Sequence, residues 1–185
     1  MDDRQLMDRL KVGDQAAFDS IFRSYYPQLA GFLEAMLRDR AIGEELAQDV
    51  MLELWRRREQ LELKESLRSY LFQAARNRAL NHIRHERVAR RNEPLVAGET
   101  SATVDHPEDS NLVDAEIETA LRTAVAGLPD RCREVFELSR VNGLSYAEIA
   151  AALDISVKTV ETQMGKALRV LREHMAPWLA AAGRK

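Results

Sequence analysis

The stretch GLSYAEIAAALDISVKTVETQMGKALRVLR, which runs from Gly143 to Arg172, decides the fold of the C-terminal half of the chain. Ser145 and Glu148 form a Ser-x-x-Glu capping box, which predicts the start of a helix. Ser156 predicts a second helix start a few residues after the first helix ends. A short helix, a tight turn and a longer helix make a helix-turn-helix. The residues expected to pack its two helices against the preceding one are Ile149, Ala150, Leu153, Ile155, Val160, Met164 and Leu168.

The second helix of this motif presents polar side chains on its outward side. They are Lys158, Thr159, Glu161, Thr162, Lys166 and Arg169. A helix of this width fits the major groove of DNA, where its first residues meet base edges. Ser156 and the N–H groups at the helix start can hold a phosphate. The alternative is a helical hairpin with solvated outward residues, but the closely spaced caps and the small residues Ala147, Ala150 and Ala151 favour DNA binding.

The rest of the chain is also helical in pattern. Apolar residues recur at i, i+3, i+4 and i+7 in the first third, Asp14 is a candidate N-cap, and Pro27 is expected to begin a new helical segment. Two further helices are expected over residues 41–58 and 66–91, and no window alternates with a period of two. The predicted fold is all-α.

The helical pattern stops between residues 92 and 111. This stretch contains Pro94, Gly98 and Pro107, five acidic residues and no Lys or Arg. Such a composition buries too little apolar surface to order itself, so it predicts a flexible acidic linker. We therefore expect two small helical domains over residues 1–91 and 112–176, the linker over 92–111, and a C-terminal tail over 177–185.

Composition narrows the classes of function. With Cys132 as the only cysteine, the chain cannot form an internal disulfide or a cysteine-based zinc site. We find no signal peptide, membrane-spanning run, nucleotide-binding loop or nucleophile motif, so the sequence predicts a cytoplasmic protein that is not an enzyme and needs no metal or cofactor. The net charge of −3 agrees with DNA binding only if basic and acidic surfaces are separated along the chain.

A basic surface is indeed present between Arg76 and Arg91. This segment carries six arginines against one acid, Glu86. Arginines can follow the phosphates of a strand, while the amides of Asn77 and Asn81 can bond to base edges.

Two blocks of the sequence resemble regions of one protein family. The sequence LPDRCREVFELSRVNGLSYAEIAAALDISVKTVETQMGKALRVLR strongly resembles region 4 of sigma-70 factors, although part of it is shared with LuxR-type regulators. FDSIFRSYYPQL, EELAQDVMLELWRRR and SLRSYLFQAARNRALNHIRHERVARR resemble region 2 of the same family. Only the linker separates the two blocks, which is similar to the extracytoplasmic-function subgroup. The resemblance implies a factor that binds core RNA polymerase and directs promoter recognition, DNA melting and transcription initiation.

The resemblance also implies roles for residues. The −10 element of the promoter would be bound, as single strand after melting, by Arg76, Asn77, Arg78, Asn81, Arg84, Arg87, Arg90 and Arg91. The −35 element would be bound by Ser156, Lys158, Thr159, Glu161, Thr162 and Lys166. The β′ coiled coil of polymerase would be bound by Glu45, Gln48, Asp49, Leu52 and Glu53. The β flap of polymerase and an anti-sigma factor are the other implied partners.

The chain departs from the family at two positions of the second motif helix. Family members often carry a basic residue where Glu161 stands and a polar or basic residue where Gly165 stands. A carboxylate repels phosphate, although it can accept from the amino group of cytosine. Two other classes of protein also agree with the sequence. One is a self-sufficient helix-turn-helix repressor or activator with an N-terminal sensing or dimerisation domain, which would bind duplex DNA alone. The other is a protein-interaction adaptor such as an anti-sigma protein, which would not need the arginine-rich segment.

Overall fold

The structure, a computed structural model, describes residues 3–63, 65–92 and 112–182. Within these ranges the chain forms helices and no strand, which confirms the predicted all-α fold. The helices are α1 (Asp3–Lys11), α2 (Gln15–Leu37), α3 (Arg40–Arg57), α4 (Leu67–Asn92), α5 (Leu112–Ala126), α6 (Asp130–Arg140), α7 (Tyr146–Leu153) and α8 (Val157–Ala182). The chain divides into two compact units, one built on α1 to α4 and the other on α5, α6, α8 and most of α7. In the described ranges no helix combines the length and the apolar character needed to cross a membrane.

The predicted linker falls almost wholly outside the described residues, which resume at Leu112 after Asn92. Its boundaries therefore remain a prediction from composition. At the other end of the chain, α8 continues to Ala182, past the boundary expected at residue 176, and Pro177 lies inside this helix.

In the first unit, α2 and α3 make the most extensive contact. Gly43 is buried where α3 meets α2, and a Cβ atom at this position would lie 2.9 Å from the backbone nitrogen of Glu34. Only glycine allows the two backbones to come this close. α4 packs on both helices, with Phe32 and Phe72 meeting edge to face at 5.3 Å between ring centroids.

Side-chain caps fix where the helices of this unit begin. The Asp14 carboxylate accepts from the N–H groups of Ala16 and Ala17 at 2.9 and 3.3 Å, which confirms its predicted role as N-cap. It also accepts from the Arg9 guanidinium at 2.8 Å, and these hydrogen bonds, that of Arg9 above all, lower the pKa of Asp14. Asp39 caps α3 in the same way through the N–H of Ile42.

The expectation that Pro27 begins a new segment is wrong, because α2 runs through it without a break. An interior proline removes one helical hydrogen bond and costs about 3 kcal/mol. Here Pro27 is exposed, so water can reach the carbonyl that loses its donor. Ile21 before it and Leu29 after it are both fully buried, and this continuous apolar face holds the helix together.

In the second unit, α8 packs on α5 and α6. The core cluster here consists of Ala124, Leu128, Cys132, Ala167 and Leu171. The assignment of Leu168 to the apolar seal is wrong, since 38% of its surface is exposed. The buried row on α8 follows Val160, Met164, Ala167 and Leu171, and the residue after Ala167 is turned about 100° away from that row.

We expect Gly43→Ala to lower the free energy of unfolding of the first unit by about 1–3 kcal/mol, because the new methyl group meets backbone that cannot move aside. Gly31→Ala is the matched control: this glycine lies on the exposed side of α2 with no neighbouring helix within 4 Å of a Cβ, so the change should stabilise by about 0.5–1 kcal/mol. Urea denaturation of the three proteins measures both effects. A stabilised Gly43→Ala protein would contradict the close approach.

A second prediction concerns Glu137 on α6. Burial raises its pKa above the ordinary value of 4.5, Arg133 lowers it and Glu134 raises it. Because the folded pKa is above the unfolded one, the protonated acid stabilises the fold below the unfolded pKa, and this stabilisation is lost as the pH rises through the folded pKa. Glu137→Gln should therefore raise Tm at pH 7 and change it little at pH 4.

The control for this measurement is Glu173→Gln, which makes the same charge change at an exposed position of α8. Its Tm should stay close to that of the parent protein at both pH values. If Glu137→Gln shifted Tm equally at pH 4 and pH 7, desolvation of the carboxylate would not be the cause.

Candidate nucleic-acid and protein interfaces

The outward face of α4 gathers the polar residues predicted to bind the −10 element. Asn77, Asn81, Arg84 and Arg87 are all exposed, and the helical spacing places them on one side of the helix. Arg84 donates to the amide oxygen of Asn81 at 3.3 Å, so the two side chains lie next to each other. The face therefore offers amide groups and guanidinium groups within one or two helical turns of each other.

Two of the predicted arginines stand apart from this face. Arg76 and Arg78 are half-buried, because each lies about 100° around the helix from Asn77. Arg78 turns toward α3, where its Nη1 lies 3.1 Å from Oδ2 of Asp49. The helix backbone is described through Asn92, but the side chains of Arg90 and Arg91 lie outside what the structure describes.

The outward face of α3 collects the residues predicted to bind polymerase. Glu45, Gln48, Asp49 and Leu52 are exposed, and 44% of the surface of Leu52 is accessible. Glu53 is half-buried and forms an ion pair with Arg57, one turn further along the helix. The result is an apolar spot surrounded by carboxylate and amide groups.

The helix-turn-helix forms as predicted from its two caps. The N–H of Glu148 bonds to the Ser145 hydroxyl at 3.3 Å, and the Glu148 carboxylate accepts from the N–H of Ser145 at 2.9 Å. This reciprocal pair confirms the capping box at the start of α7. At the start of α8, the Ser156 hydroxyl accepts from the N–H of Thr159 at 3.0 Å, which confirms the second cap.

The exposed row of α8 is formed by Lys158, Thr162 and Lys166, which follow each other at intervals of four residues. The Thr162 hydroxyl donates to the carbonyl oxygen of Lys158 at 2.9 Å, and its oxygen can still accept a hydrogen bond. Thr159 is half-buried and shares a hydrogen bond of 2.8 Å with Ser156. The row is thus cationic at both ends and polar in the middle.

Glu161 lies at the edge of this row and forms an ion pair with Lys158. Its Oε2 lies 3.5 Å from Nζ of Lys158, and both side chains are largely exposed. One turn further, Gly165 leaves the surface open, since nothing lies within 4 Å of a Cβ built there. The carboxylate therefore offsets part of the positive charge that Lys158 brings to the row.

Two residues with a place in these surfaces were not among the predicted site residues. Arg169 was expected on the outward side of this helix but not among the −35 contacts, and it is exposed and continues the row of Lys158. The Tyr26 hydroxyl accepts from the amide of Gln48 at 3.5 Å, which adds an aromatic residue of α2 to the edge of the α3 face. No local pattern predicts this second contact, because the two residues are 22 positions apart.

Comparison with known proteins agrees with this layout. Sigma-70 region 2 matches residues 21–88, and sigma-70 region 4 matches residues 118–171. The ECF RNA polymerase sigma factor RpoE of Cereibacter sphaeroides is 30% identical over 165 residues, which cover 88% of each protein. The ECF RNA polymerase sigma factor SigK of Mycobacterium tuberculosis is 30% identical over 172 residues, which cover 90% of each.

Solved structures support the fold. The chain is similar to CnrH in complex with the cytosolic domain of CnrY, with a TM-score of 0.65 and 23% identity over 95% of this chain and 97% of that one. It is also similar to the sigma factor RpoE of Bartonella quintana in complex with the anti-sigma factor NepR, with a TM-score of 0.68 and 23% identity over 86% and 96%. Since both regions occur in order and relatives at 30% identity span most of the chain, the protein belongs to the extracytoplasmic-function subgroup of the sigma-70 family and is a promoter-directing sigma factor.

Proposed function

We propose that this sigma factor docks on core RNA polymerase through the outward face of α3 and contacts promoter DNA through the outward faces of α4 and α8. It acts in the cytoplasm as a non-catalytic initiation subunit that supplies binding energy for promoter recognition and melting. The observation that carries the proposal is the exposed row of α4, where amides and guanidinium groups stand side by side.

Polymerase docking is assigned to α3 on chemical grounds. An exposed leucine surrounded by Glu45, Gln48 and Asp49 suits a basic helical partner with a small apolar contact, as in the β′ coiled coil. The apolar spot contributes burial, and the carboxylates set orientation and favour a cationic partner. The β flap is assigned to the second unit, where a groove between α5 and α8 is lined by Thr119, Ala120, His174 and Trp178.

The two DNA surfaces are suited to different forms of the promoter. On α4, Asn77 and Asn81 can bond to the edges of unpaired bases while Arg84 and Arg87 follow the phosphates, which suits a melted −10 element. On α8, a helix start capped by Ser156 precedes the row of exposed polar residues, which suits insertion into the major groove of a duplex −35 element. Melting is thereby favoured, because the first surface binds what only the open promoter presents.

Restraint by an anti-sigma factor is the last part of the proposal. CnrH and the Bartonella quintana RpoE were each solved with a protein bound, which in the second case is the anti-sigma factor NepR. By analogy with that likeness in fold, we propose that an anti-sigma factor covers surfaces of this chain that polymerase would otherwise bind.

The central experiment compares promoter binding and run-off transcription with the protein alone and with core polymerase. We expect weak duplex binding by the protein alone and specific transcription only with core enzyme.

Asn77→Ala should impair promoter opening, measured by permanganate reactivity of unpaired thymines, while closed-complex formation is retained. Gln5→Ala, an exposed amide on α1, should match the parent protein. Tight sequence-specific duplex binding without polymerase would indicate a self-sufficient regulator instead.

A further prediction concerns Glu161. Because its carboxylate pairs with Lys158, Glu161→Gln should free that ammonium group for a phosphate and raise holoenzyme affinity about two- to fivefold for all −35 sequences alike. Glu173→Gln, an exposed position later on α8, is the control and should have a smaller effect. The measurement is affinity for a panel of −35 variants. A changed preference at one base position, of about 1–3 kcal/mol, would instead show that the carboxylate reads a cytosine.

A further inference from the structure

An ion pair joins the α3 face assigned to polymerase to the side of α4 that lies next to the face assigned to the −10 element. Nη1 of Arg78 on α4 lies 3.1 Å from Oδ2 of Asp49 on α3, and Nη2 of the same guanidinium lies 3.5 Å from the backbone carbonyl oxygen of Asp49. The two residues are 29 positions apart, so the contact is tertiary. We infer that this pair couples the two binding surfaces, with Arg78 holding the Asp49 carboxylate until polymerase competes for it.

The inference rests on the proposed function, because it takes α3 as the polymerase surface and α4 as the −10 surface. The helical phase of α4 explains the geometry. Asn77 points outward, and the next residue is turned about 100° from it, toward α3. The side chains of Arg78 and Asp49 are 33% and 49% exposed, so both can be reached by a partner without unfolding of the unit.

Competition follows from the chemistry of the carboxylate. Asp49 stands between Glu45 and Glu53 on the outward face of α3, and Glu53 is itself paired with Arg57. A cationic side chain of polymerase that binds Asp49 must share or displace the guanidinium already there. A displaced Arg78 is then available for a phosphate of the promoter strand, since it is carried by the same helix as Asn77 and Asn81.

Linkage makes the effect reciprocal. If polymerase on Asp49 raises the affinity of Arg78 for phosphate, then phosphate on Arg78 raises the affinity of Asp49 for polymerase by the same factor. Ion pairs at this level of exposure are weak, so the coupling factor should be about two to five. Arg78 is thus a positioning residue, and the pair lowers the affinity of the free protein for either partner.

The first test measures the affinity of the full-length protein for core polymerase in a double-mutant cycle. Asp49→Asn should weaken binding. Arg78→Gln should strengthen it about two- to fivefold, because Asp49 is released, and this gain should vanish when Asp49→Asn is also present. If Arg78→Gln raised the affinity for core polymerase equally with and without Asp49→Asn, the gain would come from the loss of a positive charge in general, and the coupling would be overturned. An Arg78→Gln protein with unchanged or lower affinity would overturn it as well.

The second test uses no polymerase. Binding of the full-length protein to a single-stranded oligonucleotide that carries the −10 sequence should be strengthened about two- to fivefold by Asp49→Asn, and not when Arg78→Gln is also present. Glu45→Gln removes the same charge one turn earlier on α3 and should give a smaller gain. Equal gains in oligonucleotide affinity from Asp49→Asn and Glu45→Gln would overturn the inference that Asp49 keeps Arg78 from the DNA.

The two proposals fail in distinguishable ways. Unchanged core affinity for Asp49→Asn would overturn the docking surface and, with it, the polymerase half of the coupling. Weaker core binding by Asp49→Asn without a gain from Arg78→Gln would overturn the coupling alone. Arg78→Lys keeps the charge but loses the two-point contact, so it should give an intermediate core affinity. Thermal melting of each variant checks that the unit remains folded.

Discussion

The close approach of α3 to α2 is the constraint on which the first unit depends. At Gly43 the two backbones leave no room for a Cβ atom, and the cap at Asp39 fixes the helix start four residues earlier. Together these features set how α3 lies on α2. The side of α3 opposite Gly43 is then turned outward, with Leu52 and its acidic neighbours on it. A buried glycine thereby determines which residues polymerase would meet.

The packing of α2 and α3 also determines which side of α4 is exposed. It packs on α2 and α3 through one strip of buried residues, which leaves the opposite strip to amides and arginines. Residues beside the buried strip are half-buried and find partners within the unit, as Arg78 does with Asp49. The position of a residue around the helix, more than its type, therefore decides whether its side chain is free to contact DNA or is in contact with another helix of the unit.

Local signals in the sequence predicted most of the helices and their caps. Asp14, Ser145 and Ser156 were identified as caps because a side-chain oxygen and a nearby N–H lie within three residues. Leu168 and the break at Pro27 were predicted wrongly, because burial depends on helical phase over several turns and on packing that no short window contains. Contacts such as that of Tyr26 with Gln48 join distant residues, and a single sequence carries no trace of them.

Within the described residues, each surface assigned to DNA has an acidic side chain beside it. The overall balance is −3, the row on α8 has Glu161 beside Lys158, and the arginine-bearing helix α4 is tied to the acidic face of α3. Since non-specific affinity for DNA rises with each phosphate that a protein neutralises, internal pairing of this kind weakens binding to random DNA. Under the proposed coupling, specificity would depend on contacts that form only when polymerase and promoter are both present. Weak binding by the factor alone would then let it leave non-promoter DNA quickly.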